Sequence, residues 1–264
     1  MSKEGQGEAK EVAKEIANIL LGKGFSVTSS PNLRMKGVGH VRHVRDIAKS
    51  KTDLVITVSG DGTILRLLRV LDSNLPCLCV NVGGRGILAE IKPDQISGAL
   101  DKIEKGDFII EKRLRVSPSL EGKILPPALN EVFLIRQAMS RTPMFTIELN
   151  YGARFSQRMD GLLITTATGS TGHSYSYGSP FVEGSLQIFE LTPLAPLNRF
   201  PPIICSPKVR VSGDQALHLV IDGQDTFNVE LGMNVSFRKH SKEASFVRFD
   251  KSGPYRQLLN LGFS

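Results

Sequence analysis

The sequence predicts an α/β + β architecture, an N-terminal open α/β domain followed by a C-terminal β-sandwich. Two observations carry this. Up to about residue 104, near-continuous apolar runs alternate with segments of helical spacing, as in a parallel sheet covered on both faces. Beyond residue 105, short strand-like pieces follow one another with turn signals between them and no convincing helix. The expected division is therefore 1–104 as a Rossmann-like α/β domain and 105–250 as the sandwich, with 251–264 a helical tail returning to the first domain.

Val12, Ile16, Ile19 and Leu20 recur at helical spacing among Glu and Lys, so residues 8–22 form an amphipathic helix that Gly22 and Gly24 stop. Phe25 to Thr28 reads as a short strand, and 31–51 as a loop with a helix. Asp53-Leu-Val-Ile-Thr-Val-Ser59 is a buried strand. A tight turn at Gly60-Asp61-Gly62-Thr63 follows, then a helix from Ile64 to Leu71. Pro76 to Val82 is a second buried strand, and Ile96 to Ile103 a further helix. The serial strands then run at 108–110, 113–117, 131–135, 144–149, 161–165, 208–212, 216–221, 234–239 and 245–249.

Composition narrows the function classes. At 264 residues the chain can bury a sizeable core, and no apolar run is long enough to span a bilayer. Its polar start has no secretory h-region, and Cys77, Cys79 and Cys205 read as reduced core thiols of a cytoplasmic protein. The five His are scattered, and no Cys/His cluster has zinc-ligand spacing. The net charge of +7 favours an anionic partner. With no Trp and no aromatics interleaved with the basic residues, a phosphorylated small molecule fits better than nucleic acid or a membrane.

Three segments carry candidate chemistry. Ser59-Gly60-Asp61-Gly62-Thr63 lies at the carboxyl end of a buried strand and before a helix, where open α/β sheets bind ligands. Its glycines let phosphate approach the amides, and the helix N-terminus adds a favourable field. A carboxylate there suits proton acceptance from an attacking hydroxyl, or help in holding a phosphate-bridging metal; it equally suits a plain Asp-Gly turn capping the next helix. No P-loop is present, and Gly83-Gly-Arg-Gly86 lacks dinucleotide-fingerprint spacing. The second segment, Thr165 to Pro180, is dense in hydroxyls and glycines and free of charge, suited to a sugar and a phosphate chain. The third, Asn130-Glu131, means little alone.

In combination these pieces resemble the NAD kinase family. Ser-Gly-Asp-Gly-Thr at 59–63, Asn130-Glu131, Asp160-Gly161, Thr-Gly-Ser-Thr at 168–171, Thr192-Pro-Leu-Ala-Pro196 and Asp222-Gly-Gln224 occur in that family's order. The resemblance implies an α/β domain followed by a β-sandwich, assembled as a homodimer or homotetramer. It also implies phosphorylation of the adenosine-ribose 2′-hydroxyl of NAD by ATP with Mg2+, giving NADP, some members also accepting NADH or polyphosphate. By position, the resemblance implies that Asp61 is the proton acceptor. It implies that Asn130 and Glu131 contact the adenosine half, with Glu131 near the ribose hydroxyls, and that Asp160 reaches the nicotinamide riboside end across a subunit interface. It places Thr171, Gly172, His173, Ser174, Tyr175 and Ser176 along the adenine side. Gly60, Gly62, Thr63, Arg66, Arg158, Ser170, Ala195 and Gln224 match further binding positions.

The chain departs from the family pattern in places. Ser59 replaces a glycine, Gly172-His173 replaces Ala-Tyr, and the family's Gly-x-Leu-Gly-Phe-Leu-Thr is blunted at Gly84 to Ala89. The family's apolar first strand has no counterpart before the first helix, so a start that has lost it is expected. These departures bear on the acceptor more than on the reaction type. The rival readings are a relative phosphorylating another polyol, nucleoside or dinucleotide hydroxyl, and a non-catalytic NADP(H)-binding sensor. Joint presence of Asp61, Asn130 and Glu131 speaks against the sensor, since a binder needs no general base.

Overall fold

The computed structural model describes residues 7–71, 73–83 and 86–250, together with Tyr255 and Leu258. The chain divides into two compact units, Met1–Lys112 with Ala244–Ser264, and Arg113–Glu243.

The first unit holds a four-stranded sheet in the order Val55–Val58, Pro76–Val80, Ala244–Arg248, Ile109–Arg113. The first and third of these strands run parallel to Pro76–Val80. Helix α1 (Gly7–Gly22) forms where the apolar spacing places it, and α2 (Asp61–Val70) and α3 (Ile96–Lys105) follow. Ile16 of α1 and Ile96, Ala99 and Leu100 of α3 bury against Leu78, Val80 and Val247 on one face of the sheet. Cys77 and Cys79 alternate with these residues and are also wholly buried, so the other face is covered too. Burial pushes the Cys79 thiol up to about 11, the state of an inert core thiol.

Three expectations are corrected here. The sandwich does not run from 105 to 250. Ile109–Arg113 and Ala244–Arg248 both join the first unit's sheet, and all five residues of the latter are buried, which an isolated sandwich edge would not achieve. Residues 61–63 are the first turn of α2 and not a separate loop. Gly60 is the N-cap, and an acid in the first turn meets the positive end of the helix dipole. The strand expected at Phe25 is displaced to Thr28–Ser29, which pairs parallel with Gly39–His40. The tail at 251–264 lies outside the described residues apart from Tyr255 and Leu258, and so do Gly84 and Arg85.

The second unit is two six-stranded antiparallel sheets. One runs Arg154–Arg158, Met144–Leu149, Lys208–Gly213, Asn234–Lys239, Val116–Leu120, Lys123–Ile124. The other runs Ile203–Cys205, Phe189–Leu194, Gly161–Thr166, Glu131–Arg136, Leu217–Ile221, Asp225–Val229. Phe145, Ile147, Val209, Val211, Val235 and Phe237 of the first meet Val132, Leu134, Leu162, Ile164, Leu191 and Leu219 of the second in one core. With a period of two, the residues between these core positions on the second sheet point to its other face. That face carries Glu131, Thr165 and Glu190.

Candidate active site

In the first unit, Asp61 is fixed by its place on α2 and by two hydrogen bonds. Its Oδ2 accepts from the Ile87 amide at 2.8 Å and its Oδ1 from the Leu88 amide at 3.0 Å. Gly86, just before them, has φ +62, and a Cβ there would meet the Asn81 side chain at 2.5 Å, so the bend into this segment demands glycine. Gly60 and Gly62 are different. Neither has positive φ, and a Cβ at either would meet nothing within 4 Å. The fold requires neither glycine, which leaves bare backbone beside Asp61 for a ligand to approach. Thr63 is half-buried on the same turn, and Arg66 is exposed one turn on.

In the second unit, the backbone of Asn130 and Glu131 is clamped from two neighbouring strands. The Asp222 carboxylate accepts from the amides of Leu129 (2.9 Å), Asn130 (2.9 Å) and Glu131 (3.1 Å). From the other side, Thr166 Oγ1 donates to the Leu129 carbonyl at 2.6 Å and the Thr166 amide to the Asn130 carbonyl at 2.8 Å. Gly169 packs so closely over this carbonyl that a Cβ would collide with it. So clamped, the two side chains keep buried atoms without partners among the described residues, Asn130 Oδ1 and Glu131 Oε2. Burial, and secondarily repulsion from Asp222, pushes the Glu131 carboxyl up to about 8.

The segment after strand Gly161–Thr166 folds as two short 3-10 turns, Thr168–Thr171 and Ser174–Tyr177. Gly172 lies between them. A Cβ there would stand 3.9 Å from Glu131 Oε2 and 4.0 Å from Asn130 Nδ2, so this segment passes directly over the Asn130–Glu131 pair. The His173 ring is exposed and meets Phe133 edge-on, with centroids 5.4 Å apart, and tilts against Tyr177 at the same distance. Ser170 and Ser174 are wholly buried and serve the segment's own structure. Ser170 Oγ donates to Ala167 O and accepts from the Val182 amide. Thr171 is buried, while Tyr175 and Ser176 are exposed.

Four other expected residues make contacts of their own. Asp160 Oδ2 pairs with Arg136 at 3.1 Å. Arg158 donates to the Thr142 carbonyl at 2.8 Å and lies 3.5 Å from Asp214. Ala195 is exposed and holds φ +44, a left-handed backbone uncommon for alanine. Gln224 closes the turn after Leu217–Ile221, its amide donating to Ile221 O at 2.9 Å. Sequence reasoning assigned no role to Asp222 or Glu190. An Asp-Gly pair ending a strand was the available signal for the first, and a lone acid inside the run Ile188 to Leu194 for the second.

Comparison with known proteins decides the family. Residues 2–108 match the ATP-NAD kinase N-terminal domain and residues 129–249 the ATP-NAD kinase C-terminal domain. The NAD kinase of Methanothermobacter thermautotrophicus is 33% identical over 252 residues, covering 92% of this chain and 88% of that protein. The chain belongs to the NAD kinase family. It is accordingly an enzyme, a phosphotransferase. The NAD kinase of Thermococcus kodakarensis is 30% identical over 252 residues, covering 92% of this chain and 91% of its own length. Among solved structures, an NAD kinase from Archaeoglobus fulgidus in complex with ATP superposes with a TM-score of 0.74 at 26% identity, over 95% of this chain and 93% of that one. A yeast NADH kinase complexed with NADH shares the fold at a TM-score of 0.89 and 20% identity, over 100% of this chain and 86% of that one.

The raised Glu131 carboxyl makes this NAD kinase relative's stability depend on pH. Its folded value of about 8 lies above the ordinary 4.5. Between those values the folded chain keeps a proton that the unfolded chain gives up, so stability falls as pH rises and levels off above about 8. The slope is at most roughly 1.4 kcal/mol per pH unit. Glu131→Gln is expected to flatten it in urea titrations between pH 5 and 8. A variant with the parent's slope assigns the dependence to another group.

Proposed function

We propose that the chain transfers the γ-phosphoryl group of ATP to the adenosine-ribose 2′-hydroxyl of NAD, giving NADP. The observation that carries this reading is Asp61 on the first turn of α2, between two glycines that the fold does not need. As the hydroxyl attacks, Asp61 takes its proton, the new O–P bond forms, and the bond from the γ-phosphorus to the bridging oxygen breaks to leave ADP. Helix N-terminal amides beside Gly60 and Gly62 favour the phosphate charge. Glu131, protonated at neutral pH, donates a hydrogen bond to a ribose oxygen, and Asn130 Oδ1 accepts one from the adenosine. Among the described residues no cluster of three or more Asp, Glu, His or Cys side chains could hold a metal. Mg2+ would be held with the phosphates of ATP, and Asp61 would offer it a carboxylate. It supplies charge neutralisation there.

The test is incubation with MgATP and a panel of NAD, NADH, nucleosides, sugars and inositol, followed by ADP release. NAD is expected to be the best acceptor. Gly172 and His173 favour a second reading, another hydroxyl acceptor, since they make the segment over Glu131 smaller and more polar. The double change Gly172→Ala with His173→Tyr distinguishes the two. The added Cβ at 172 would lie 3.2 Å from Gly169 O, which a shift of a few tenths of an ångström accommodates. Under the first reading NAD remains the best substrate in both proteins. A rise in NAD turnover relative to a better acceptor of the parent supports the second.

On the family resemblance we also infer a homodimer or homotetramer with Asp160 at a site completed by a neighbouring subunit, and a cytoplasmic location. Light scattering that returns a fully active monomer overturns the assembly. Among the described residues no helix is long and apolar enough to cross a membrane.

A further inference from the structure

We propose that Glu190 is a positioning residue for the nucleotide acceptor, a buried carboxyl group beneath the turn Ser174–Tyr177 that keeps the pocket-lining segment in register over Glu131. The proposal rests on the function proposed above.

Glu190 sits inside strand Phe189–Leu194, every residue of which is buried, and its own exposure is 0%. The strand registers place it opposite Thr165, and Thr165 opposite Glu131, so the three side chains form one row across three strands. The row is rich in buried polar atoms. Among the described residues, Thr165 Oγ1 and Glu131 Oε2 are sealed from solvent without a hydrogen-bond partner, and the equally sealed Glu190 carboxyl has the hydroxyls of Ser179 and Ser174 as its neighbours. Most buried polar groups in folded proteins are paired, and one left unpaired costs stability that something must offset.

The neighbours of Glu190 indicate what offsets it. The hydroxyls of Ser179 and Ser174 lie beside it. Ser179 Oγ also lies 2.6 Å from Thr192 Oγ1, an arrangement in which Thr192 can donate, and Ser174 Oγ reaches the Gly169 carbonyl only at a long 3.4 Å. Strand Phe189–Leu194 packs directly against the turn Ser174–Tyr177. Burial raises the carboxyl above its ordinary range, with the two serines opposing, and among the described residues no cation pairs with it. The titratable groups on the elements around it are Glu131 and Arg136 on the strand beyond Thr165, His173, Tyr175 and Tyr177 on the segment, and Cys205 on the adjoining strand, and Arg136 is taken up by Asp160.

A carboxyl group can engage the hydroxyls of Ser174 and Ser179 at once through its two oxygens, and its upward shift favours the uncharged form. Ser174 lies within the stretch 171–176 expected to line the adenine side. Ser174 so held keeps the turn Ser174–Tyr177, and with it the stretch over Glu131, in the position that the acceptor meets.

The experiment measures melting temperature, acceptor KM and kcat for Glu190→Leu, Glu190→Gln and Ser174→Ala. Leu removes the buried acid from an apolar strand, so Glu190→Leu is expected to raise the melting temperature by a few degrees. Acceptor KM should rise about tenfold, with kcat within about twofold. Gln keeps a donor and an acceptor, and is expected to hold KM within about twofold of the parent. Ser174→Ala, too small a change to threaten folding, should raise KM in the same direction. A Glu190→Leu protein that melts lower with unchanged KM assigns Glu190 to structure alone and overturns the proposal. Equal impairment of the Leu and Gln variants, or an unchanged KM in Ser174→Ala, overturns it as well. If the parent does not use NAD, the proposed function falls by itself. The same variants are then read on whichever acceptor the panel returns, so Glu190 is judged separately.

Discussion

Asp61→Asn is expected to lower turnover by roughly 10²–10⁴-fold while dinucleotide affinity stays within about tenfold, because a general base acts on the rate and little on ground-state binding. The geometry makes this a demanding test. The parent carboxylate accepts from Ile87 and Leu88 through different oxygens, yet has roughly four lone-pair sites, so it can hold both amides and still receive a proton. Asparagine keeps one acceptor oxygen and turns an NH2 toward the other amide. Segment 86–88 therefore loosens somewhat even as the base is lost. Comparing NAD binding with single-turnover rate separates the two effects. Affinity that collapses in parallel with turnover would identify Asp61 as the tie holding segment 86–88, and the base would have to be sought elsewhere.

Asp222 carries the second large effect, on stability and activity together. Its carboxylate serves three consecutive backbone amides at the start of Glu131–Arg136, and it is itself buried. Truncation to Ala leaves those donors unsatisfied and is expected to cost about 3–5 kcal/mol by denaturant titration, comparable to breaking a buried charged pair. Asp222 also has φ +46, which Asn tolerates better than Ala, so Asp222→Asn separates lost acceptors from backbone strain. It should fall between the parent and Ala. Because Asn130 and Glu131 ride on this clamp, kcat/KM should drop about 10²-fold with either change, as a misplacement near 1 Å does. Neutralising residue 222 also removes the repulsion on Glu131, so the Glu131 carboxyl should titrate lower in the Asn variant. An Asp222→Ala protein as stable and active as the parent would mean that water replaces the carboxylate at no cost.

Much of this could be read from the residues, for reasons that differ by element. Helices α1 and α3 were legible because their apolar residues keep strict spacing. The parallel strands at 55–58 and 76–80 were legible because burial on both faces leaves them apolar throughout. Phe189–Leu194 was not, since it carries Glu190 and Pro193, which argue against a buried strand. The pairing explains the proline. Strand Ile203–Cys205 reaches only Phe189 to Leu191, so beyond that point Pro193 faces no ladder on that side. Arg154–Arg158 was missed because it is a polar strand at the edge of its sheet, where alternation is weak. The candidate site was legible as motifs, whereas its rigidity was not. Nothing in the spelling of Asn130-Glu131 says that a carboxylate 92 residues later holds its backbone.

The position of Ala244–Arg248 between Pro76–Val80 and Ile109–Arg113 sets a condition on biosynthesis. A ribosome releases residues 1–112 long before it releases 244–248, so the α/β unit waits with a gap in the middle of its sheet while the whole sandwich is made. The late strand closes the sheet and brings Arg248, whose guanidinium meets Glu90 at 3.2 Å, Glu111 at 2.8 Å and the Leu88 carbonyl at 3.2 Å. Leu88 is one of the two residues whose amides hold Asp61. The segment that grips the proposed base thus gains its last support only after the whole sandwich has emerged. A nascent chain stalled before residue 244 has no such support for that carboxylate, so catalytic competence arrives late in translation.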